Sequence, residues 1–197
     1  MAFLLNLSLT AALTVNPTPT ATAPLQDTAS TRKVANVTMP TTVDVGTSHL
    51  VLNGMALRKK MMFKVYVASL YLPAKSNNAD EILAADAPRY MVMSFVRSVD
   101  KGKLCEAWED GLEKNTPNAG EQLKADFKQL CDWMEDIKDG EQMVFTYLPE
   151  GGTTVGVRGT EKGVIAGKEF GDALFRCWIG PNPAPGQGFK KDLLGGQ

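Results

Sequence analysis

LNGMALRKKMMFKVYVASLYLP, residues 52–73, contains two apolar runs separated by a cluster of cations. Both runs are rich in residues that favour strands, so the stretch is typical of two β-strands joined by a turn. If the chain turns at Lys59 to Met61, the end of the first strand lies beside the middle of the second in an antiparallel pair. Arg58 and Tyr66 are then neighbours across the two strands.

Arg58 and Tyr66 together offer groups that suit a carboxylate. An arginine presents a two-pronged, permanently charged fork, and a tyrosine hydroxyl adds a neutral donor. The alternative is that Arg58 is solvated and that Tyr66 fills the core with its hydroxyl at the rim. Composition and spacing alone favour this alternative. The other cations of the stretch, Lys59, Lys60 and Lys64, suit a turn or a solvated strand position and receive no role.

The rest of the chain after residue 34 carries strand and helix patterns in an order typical of the α+β class. Alternation between turn residues predicts strands, and apolar spacing of three and four residues predicts helices, so we expect helices packed on an antiparallel sheet. Strands are predicted within residues 34–46, 49–59, 61–73, 89–99 and 141–167. Helices are predicted within residues 77–88, 101–115, 123–138, 168–180 and 188–196.

Three details of this pattern are specific enough to be tested. The apolar stripe from Leu123 to Ile137 predicts one continuous helix that an Asp-Gly pair ends. Hairpin turns are predicted at residues 150–152 and 159–163. Trp108 and Trp178 lie on apolar helix stripes, so core packing is favoured over a ligand cage for both.

Composition and charge exclude several classes of protein. The 197 residues suit one domain and a tail, and a net charge of −1 gives no reason to expect nucleic acid or an anionic membrane as a general partner. A single histidine, His49, leaves little material for a metal site or a Ser-His-Asp triad. The glycine-rich residues 156–163 lie in a predicted hairpin and not between a strand and a helix, so they form no nucleotide loop. We expect no cofactor and no metal.

The three cysteines, Cys105, Cys131 and Cys177, are too far apart for CxxC metal or redox chemistry. Each falls in a predicted helix, so we interpret them as buried free thiols and expect no disulfide framework. Their odd number leaves at least one thiol unpaired within the chain.

Residues 1–33 differ in composition from residues 34–197. We assign residues 34–197 to a single folded domain. The first segment begins with an apolar run of the length found in signal peptides and has an Ala-x-Ala site at Ala21 to Ala23, but its first side-chain cation is Arg32. It is either a secretory signal without its basic start or a disordered tail. We favour the signal, which predicts a periplasmic or secreted protein; the alternative predicts a cytoplasmic one. No other run is long enough to cross a bilayer, so no integral membrane domain is expected.

Three stretches carry a resemblance to a known family: residues 52–73, FVRSVDKGKLCEAWEDGLEKN at 95–115 and GKEFGDALFRCWIGPNP at 167–183. In this order they resemble bacterial members of the chalcone isomerase-like superfamily. The resemblance implies an open-faced β-sandwich, in which a large antiparallel sheet carries a layer of helices on one side and a ligand cleft lies between them.

The resemblance also separates two kinds of activity. Plant chalcone isomerases close a chalcone into a flavanone, and their arginine, which matches Arg58, stabilises developing negative charge. Fatty-acid-binding members of the superfamily use the same arginine with a tyrosine to hold a carboxylate. Tyr66 stands where the isomerases have a catalytic threonine, and Leu104 and Gly111 stand where they have a substrate-contacting Tyr and Asn. The sequence thus departs from the isomerase pattern and agrees with the fatty-acid-binding one.

We therefore expect a monomeric, non-catalytic protein that binds a fatty acid or a similar anionic or polyphenol-like amphiphile through Arg58 and Tyr66. The alternative is an isomerase of the intramolecular lyase type, with Arg58 as the electrophilic residue and Tyr66 as the proton donor. A third interpretation is a scaffold without a ligand, which predicts a solvated or salt-bridged Arg58 and no apolar cavity.

Overall fold

The computed structural model describes residues 30–196, which form a seven-stranded antiparallel sheet, a separate two-stranded hairpin and five helices. The strands are β1 Thr31–Val34, β2 Val37–Pro40, β3 Thr42–Val45, β4 Ser48–Lys60, β5 Phe63–Leu72, β6 Arg89–Phe95, β7 Gln142–Leu148, β8 Gly152–Val157 and β9 Thr160–Ile165. The helices are α1 Ala79–Ala84, α2 Lys101–Asn115, α3 Glu121–Asp132, α4 Lys168–Ile179 and α5 Gln187–Leu193.

The sheet is a meander in which β3 to β9 lie side by side in chain order, and β1 pairs with β2 apart from it. Helices occupy the connections before and after β6 and the chain after β9. The α+β class and the antiparallel sheet with helices on one face are confirmed. The first strand begins at Thr31, three residues before the start that we predicted for the folded domain. The apolar run and the Ala-x-Ala site near the N-terminus lie outside the described residues. No helix between residues 30 and 196 is long and apolar enough to span a bilayer.

The two faces of the sheet bury different side chains because successive residues of a strand point in opposite directions. On β5, Ala68 and Leu70 belong to the large core beneath the helices. Val67 and Tyr71 belong to a smaller core on the opposite face, which β1 and β2 help to cover. The Tyr71 hydroxyl donates a hydrogen bond to the Pro40 carbonyl at 2.8 Å, which ties the small hairpin to the sheet.

The C-terminal helix α5 is held tightly against β4. The Nδ2 of buried Asn53 donates to the Leu193 carbonyl at 3.1 Å. A Cβ at the next residue, Gly54, would collide with the backbone carbonyls of Asp192 and Leu193. Only glycine therefore permits this close contact between strand and helix end.

The prediction of one helix through Ile137 was wrong, because α3 ends at Asp132. Met134 and Ile137 are both buried in the core, which explains why their spacing continued the apolar stripe. Ile137, however, exchanges backbone hydrogen bonds with Val99 in an isolated antiparallel bridge. Burial periodicity did not distinguish another helical turn from an extended segment that enters the same core.

The prediction of a turn at residues 159–163 was also wrong. Arg158 and Gly159, with φ of 54° and 76°, form a tight connection, and β9 already begins at Thr160. Two consecutive residues with positive φ are typical of the two-residue turns that suit the twist of a hairpin. Gly163 instead lies within β9, where an added Cβ would stand 2.8 Å from the ring of Trp133.

The prediction that all three cysteines are free was wrong for two of them. Cys105 on α2 and Cys131 on α3 form a disulfide, with their Cα atoms 5.3 Å apart. This pairing joins two helices that are consecutive in the chain. Cys177 is a buried free thiol, as predicted, and its burial raises the pKa of the thiol to about 12.

Candidate ligand-binding cleft

A cavity of about 380 Å³ lies between one end of the sheet and the helix layer, with walls from β4, β5, β6, α2 and α4. Its volume falls within the range of ordinary small-molecule pockets. Most of its walls are apolar or aromatic. The lining residues are Arg58, Lys60, Met61, Phe63, Val65, Tyr66, Met93, Phe95, Arg97, Ser98, Val99, Lys103, Leu104, Ala107, Trp108, Cys177, Trp178, Ala184 and Pro185.

Arg58 and Tyr66 both line this cavity and lie directly opposite each other on β4 and β5. Opposed residues of antiparallel strands share a face, with Cβ atoms about 5 Å apart. Two positions further along each strand, Ala56 and Ala68 are likewise opposed and belong to the core beneath the helices. The Arg58–Tyr66 pair therefore faces the helix layer, at the end of the same row of side chains.

The Tyr66 hydroxyl is held by a single hydrogen bond from buried Trp178, whose Nε1 donates to it at 3.2 Å. The Tyr66 ring packs against Phe95 and Phe189, with centroids 5.5 and 6.0 Å away. Burial raises the pKa of Tyr66 to about 12, against the smaller opposing effects of the Trp178 N–H and the positive charge of Arg58. The phenol is thus neutral at physiological pH, and its own proton is available for a further acceptor.

Positive charge surrounds the cleft without a matching number of carboxylates. The cations that line it are Arg58, Lys60, Arg97 and Lys103, and no Asp or Glu of residues 30–196 is among the lining side chains. Lys103 is neutralised by Asp100 at 2.9 Å. The guanidinium of the half-exposed Arg58 makes neither a hydrogen bond nor an ion pair within the described part of the chain. The cleft therefore combines apolar walls with uncompensated positive charge.

Leu104 and Gly111, the two positions that the resemblance aligns with polar substrate contacts, offer no polar side chain. Leu104 is buried and lines the cavity. Gly111 lies outside it, where α2 approaches α4 so closely that an added Cβ would stand 2.6 Å from the Cys177 sulfur. An asparagine at this position would require the Cys177 side chain or one of the two helices to move.

Trp108 and Trp178 are core residues, as predicted, with relative exposures of 4% and 1%. Their rings meet edge to face with centroids 5.4 Å apart. They also form part of the cleft wall, so the same two side chains pack in the core and line the cavity.

The sequence interpretation did not include Arg97 and assigned no role to Lys60, although both line the cleft. For Arg97 a signal was present, since it follows an apolar strand just as Arg58 ends one. Its guanidinium lies 4.0 Å from the centre of the Phe63 ring. In residues 30–196 no group of three or more His, Cys, Asp or Glu side chains is arranged to hold a metal ion.

Comparison with family models identifies the family to which the chain belongs. The family model described as chalcone isomerase-like matches residues 31–195, so the chain belongs to the chalcone isomerase-like family. The resemblance read from the sequence is confirmed. No curated protein matches the chain significantly.

Among solved structures, the fold is similar to that of a fatty-acid binding protein of Arabidopsis thaliana. The two share 16% sequence identity, with a TM-score of 0.64 over 81% of this chain and 92% of the Arabidopsis chain. At this identity the similarity shows that the two proteins have the same fold.

Proposed function

We propose that this protein binds a fatty acid or a similar anionic amphiphile and is not an enzyme. Arg58 and Tyr66 hold the acidic head group, and the apolar walls of the cleft receive the tail. The observation that carries the proposal is an apolar cavity whose end contains an arginine without a carboxylate partner in the described chain. The fatty-acid binding function of the structurally similar Arabidopsis protein adds support.

The chemistry of the head-group site suits a carboxylate. A guanidinium and a neutral phenol donate to different lone pairs of one carboxylate group, and charge-assisted hydrogen bonds of this kind are among the strong ones. The ligand's negative charge also compensates a cation that is partly removed from water. A neutral ligand of the same shape provides no such compensation of charge, and its hydrogen bonds are weaker.

The site keeps the arginine that the isomerases use, but it lacks their threonine and the polar side chains at positions 104 and 111. With its pKa raised to about 12, Tyr66 is a poor general base near neutral pH. Leu104 presents only an apolar side chain to the cavity, and Gly111 presents none. These features favour binding without turnover.

The test is equilibrium titration with a fluorescent fatty acid in the absence of lipid vesicles. We expect Arg58→Ala to weaken binding at least tenfold, because the hydrogen bonds from a charged donor are lost, and Tyr66→Phe to weaken it less. Lys64→Ala is the matched control, since it removes a nearby cation that does not line the cleft. Equal affinity in the wild type and Arg58→Ala would exclude the proposed head-group site.

A second assay addresses the isomerase alternative. A hydroxychalcone is mixed with the protein, and its absorbance is followed against the uncatalysed reaction. We expect no acceleration. Loss of the chalcone absorbance faster than the uncatalysed rate, abolished in Arg58→Ala, would show that the protein is an enzyme.

We also propose that the protein acts in the periplasm or outside the cell. The Cys105–Cys131 disulfide supports this location, because such bonds persist mainly in oxidising compartments. Mass spectrometry of the protein recovered from separate cell fractions tests the proposal. A fully reduced protein found only in the cytoplasm would contradict it.

A further inference from the structure

The β4–β5 hairpin ends in three consecutive exposed apolar side chains, which we call the tip: Met61, Met62 and Phe63. Their relative exposures are 90%, 93% and 54%. In the described part of the chain, Val164 is the one other large hydrophobic residue that is exposed. Apolar side chains exposed together at the end of a hairpin commonly mark a surface that meets a partner.

Exposed cations flank the tip, and we call Lys59, Lys60, Lys64 and Arg97 the collar. Residues 58–64 contain four cations and no acid, whereas the whole chain has a net charge of −1. The positive charge is therefore a local property of the hairpin and not of the protein as a whole. The collar is continued around the Phe63 ring by Arg97, 4.0 Å from the ring centre.

Neither feature helps the hairpin to fold. Lys59 and Lys64 are direct cross-strand partners, and like charges in this arrangement destabilise a strand pair. Met61 has a φ of 57°, in the left-handed region that glycine or asparagine adopts more readily. A glycine and an acid at these positions would suit the hairpin better, so the residues present point to a role in binding.

We propose that the hairpin docks the protein on an anionic lipid bilayer. The tip inserts among the head groups and upper acyl chains, and the collar remains beside the lipid phosphates. Three side chains on a projecting turn form too small a surface for a stable protein interface, which needs about 800 Å² per partner. A bilayer, in contrast, accepts a narrow apolar projection surrounded by cations.

The hairpin also borders the mouth of the cleft, since Lys60, Met61 and Phe63 line the cavity. Docking would bring the open end of the cleft to the membrane surface, so that an acyl ligand passes between bilayer and protein without crossing water. This exchange step rests on the proposed function. The docking itself rests on the hairpin alone.

Sedimentation with vesicles tests the docking. Purified protein is mixed with vesicles of phosphatidylcholine, with or without 30% phosphatidylglycerol (roughly the charge density of an anionic leaflet), at low and high salt. We expect binding only to the anionic vesicles, weakened by salt. Lys59→Gln/Lys64→Gln should lower the partition coefficient about thirtyfold, and Met62→Asp at least tenfold.

Controls separate docking from ligand binding and from loss of charge. Lys124→Gln/Lys128→Gln removes the same charge from exposed positions on α3 and should bind vesicles like the wild type. Met62, Lys59 and Lys64 do not line the cleft, so their variants should keep the fatty-acid affinity measured without vesicles. Failure of the fatty-acid assay with intact vesicle binding would reject the proposed function and leave the docking in place.

Two results would overturn the proposal. One is the absence of binding to anionic vesicles, or binding that the hairpin variants do not reduce. The other is a dimer of the wild-type protein in analytical ultracentrifugation that Met62→Asp abolishes, without vesicle binding, which would make the tip a protein interface.

Discussion

Two arginine–tyrosine pairs lie on the same face of the sheet, and they differ in what surrounds them. Arg58 opposes Tyr66 on β4 and β5, and Arg89 opposes Tyr147 on β6 and β7. Tyr66 packs against the core beneath the helices, and Tyr147 belongs to it. Helix α4 contacts both pairs, but it does so with side chains of different chemistry.

The Arg89 pair is neutralised within the protein. Arg89 is 1% exposed, and its Nη2 donates to the Asp172 carboxylate of α4 at 2.6 Å. Lys168 contacts the other oxygen of Asp172 at 2.6 Å. The guanidinium also lies against the rings of Tyr147 and Phe175, 4.4 and 5.2 Å from their centres. Such a buried, paired cation fixes the position of α4 on the sheet.

The Arg58 pair has the opposite character. Here α4 supplies the indole of Trp178 to Tyr66 and supplies no carboxylate to Arg58. Arg58 is half-exposed, and a cavity lies beside it. The same residue pair on the same face is structural where the fold provides the anion; where the fold does not, the arginine is left for the ligand that we propose.

The largest effect is expected from Asp172→Asn, which leaves Arg89 buried without its carboxylate. Removing one partner of a buried ion pair costs about 3–5 kcal/mol of unfolding free energy. Urea unfolding measures this loss. Asp110→Asn, which breaks an exposed i,i+4 pair with Lys114, is the control and should cost under about 0.5 kcal/mol. Similar losses in the two variants would show that Arg89 does not depend on Asp172.

An intermediate effect is expected from Tyr66→Phe. The substitution removes the acceptor of the buried Trp178 N–H, and an unsatisfied buried donor costs about 1–3 kcal/mol. Tyr147→Phe should cost less, because it frees the exposed Asp86 carboxylate to bind water instead. Urea unfolding of both variants measures the two losses of unfolding free energy. A larger loss in Tyr147→Phe than in Tyr66→Phe would contradict the prediction.

A small effect on stability is expected from Arg58→Met, even though the same residue dominates the proposed ligand site. Arg58 makes no internal ion pair among residues 30–196, so its loss should change the unfolding free energy by no more than about 0.5 kcal/mol. Urea unfolding without added ligand is the measurement. A loss above about 2 kcal/mol would mean that the arginine supports the fold, as Arg89 does.

The two phenols should make the unfolding free energy depend on pH in alkali, and not near neutral pH. Burial is the main cause that raises the pKa of both Tyr66 and Tyr147 from 10.0 to about 12. The unfolded chain therefore loses these protons first, and the stability that is fully present below pH 10 is lost as the pH rises from 10 to 12. Tyr66→Phe should make this decline shallower in urea unfolding at several pH values. An absorbance titration that shows Tyr66 ionised at pH 10 in the folded protein would contradict the assignment.

The sequence was most informative where a single local signal determined the structure. Helix α2 has the predicted bounds, residues 101–115, and its apolar stripe of Leu104, Trp108 and Leu112 is buried. The pairing of Arg58 with Tyr66 followed from a short turn between two strand-forming runs. Both inferences required only residues that are close together in the chain.

Contacts between residues that are far apart in the chain could not be predicted from such local signals. Arg89 and Asp172 are 83 residues apart, and nothing in either segment indicates the other. The disulfide between Cys105 and Cys131 required knowledge that α2 and α3 lie side by side. Helical periodicity misplaced the end of α3, since Met134 and Ile137 are buried through an extended segment. In each case tertiary packing, which local spacing does not contain, determined the outcome.

The contact of α5 with β4 has a consequence for how the chain is made. Gly54 and Asn53 lie in the second strand of the sheet, and Leu193, which accepts the Asn53 hydrogen bond, follows 140 residues later in the chain. During translation β4 and β5 emerge early, but this part of β4 stays uncovered until α5 has left the ribosome. The native packing around the middle of β4 therefore waits for a segment that is made long after the strand itself.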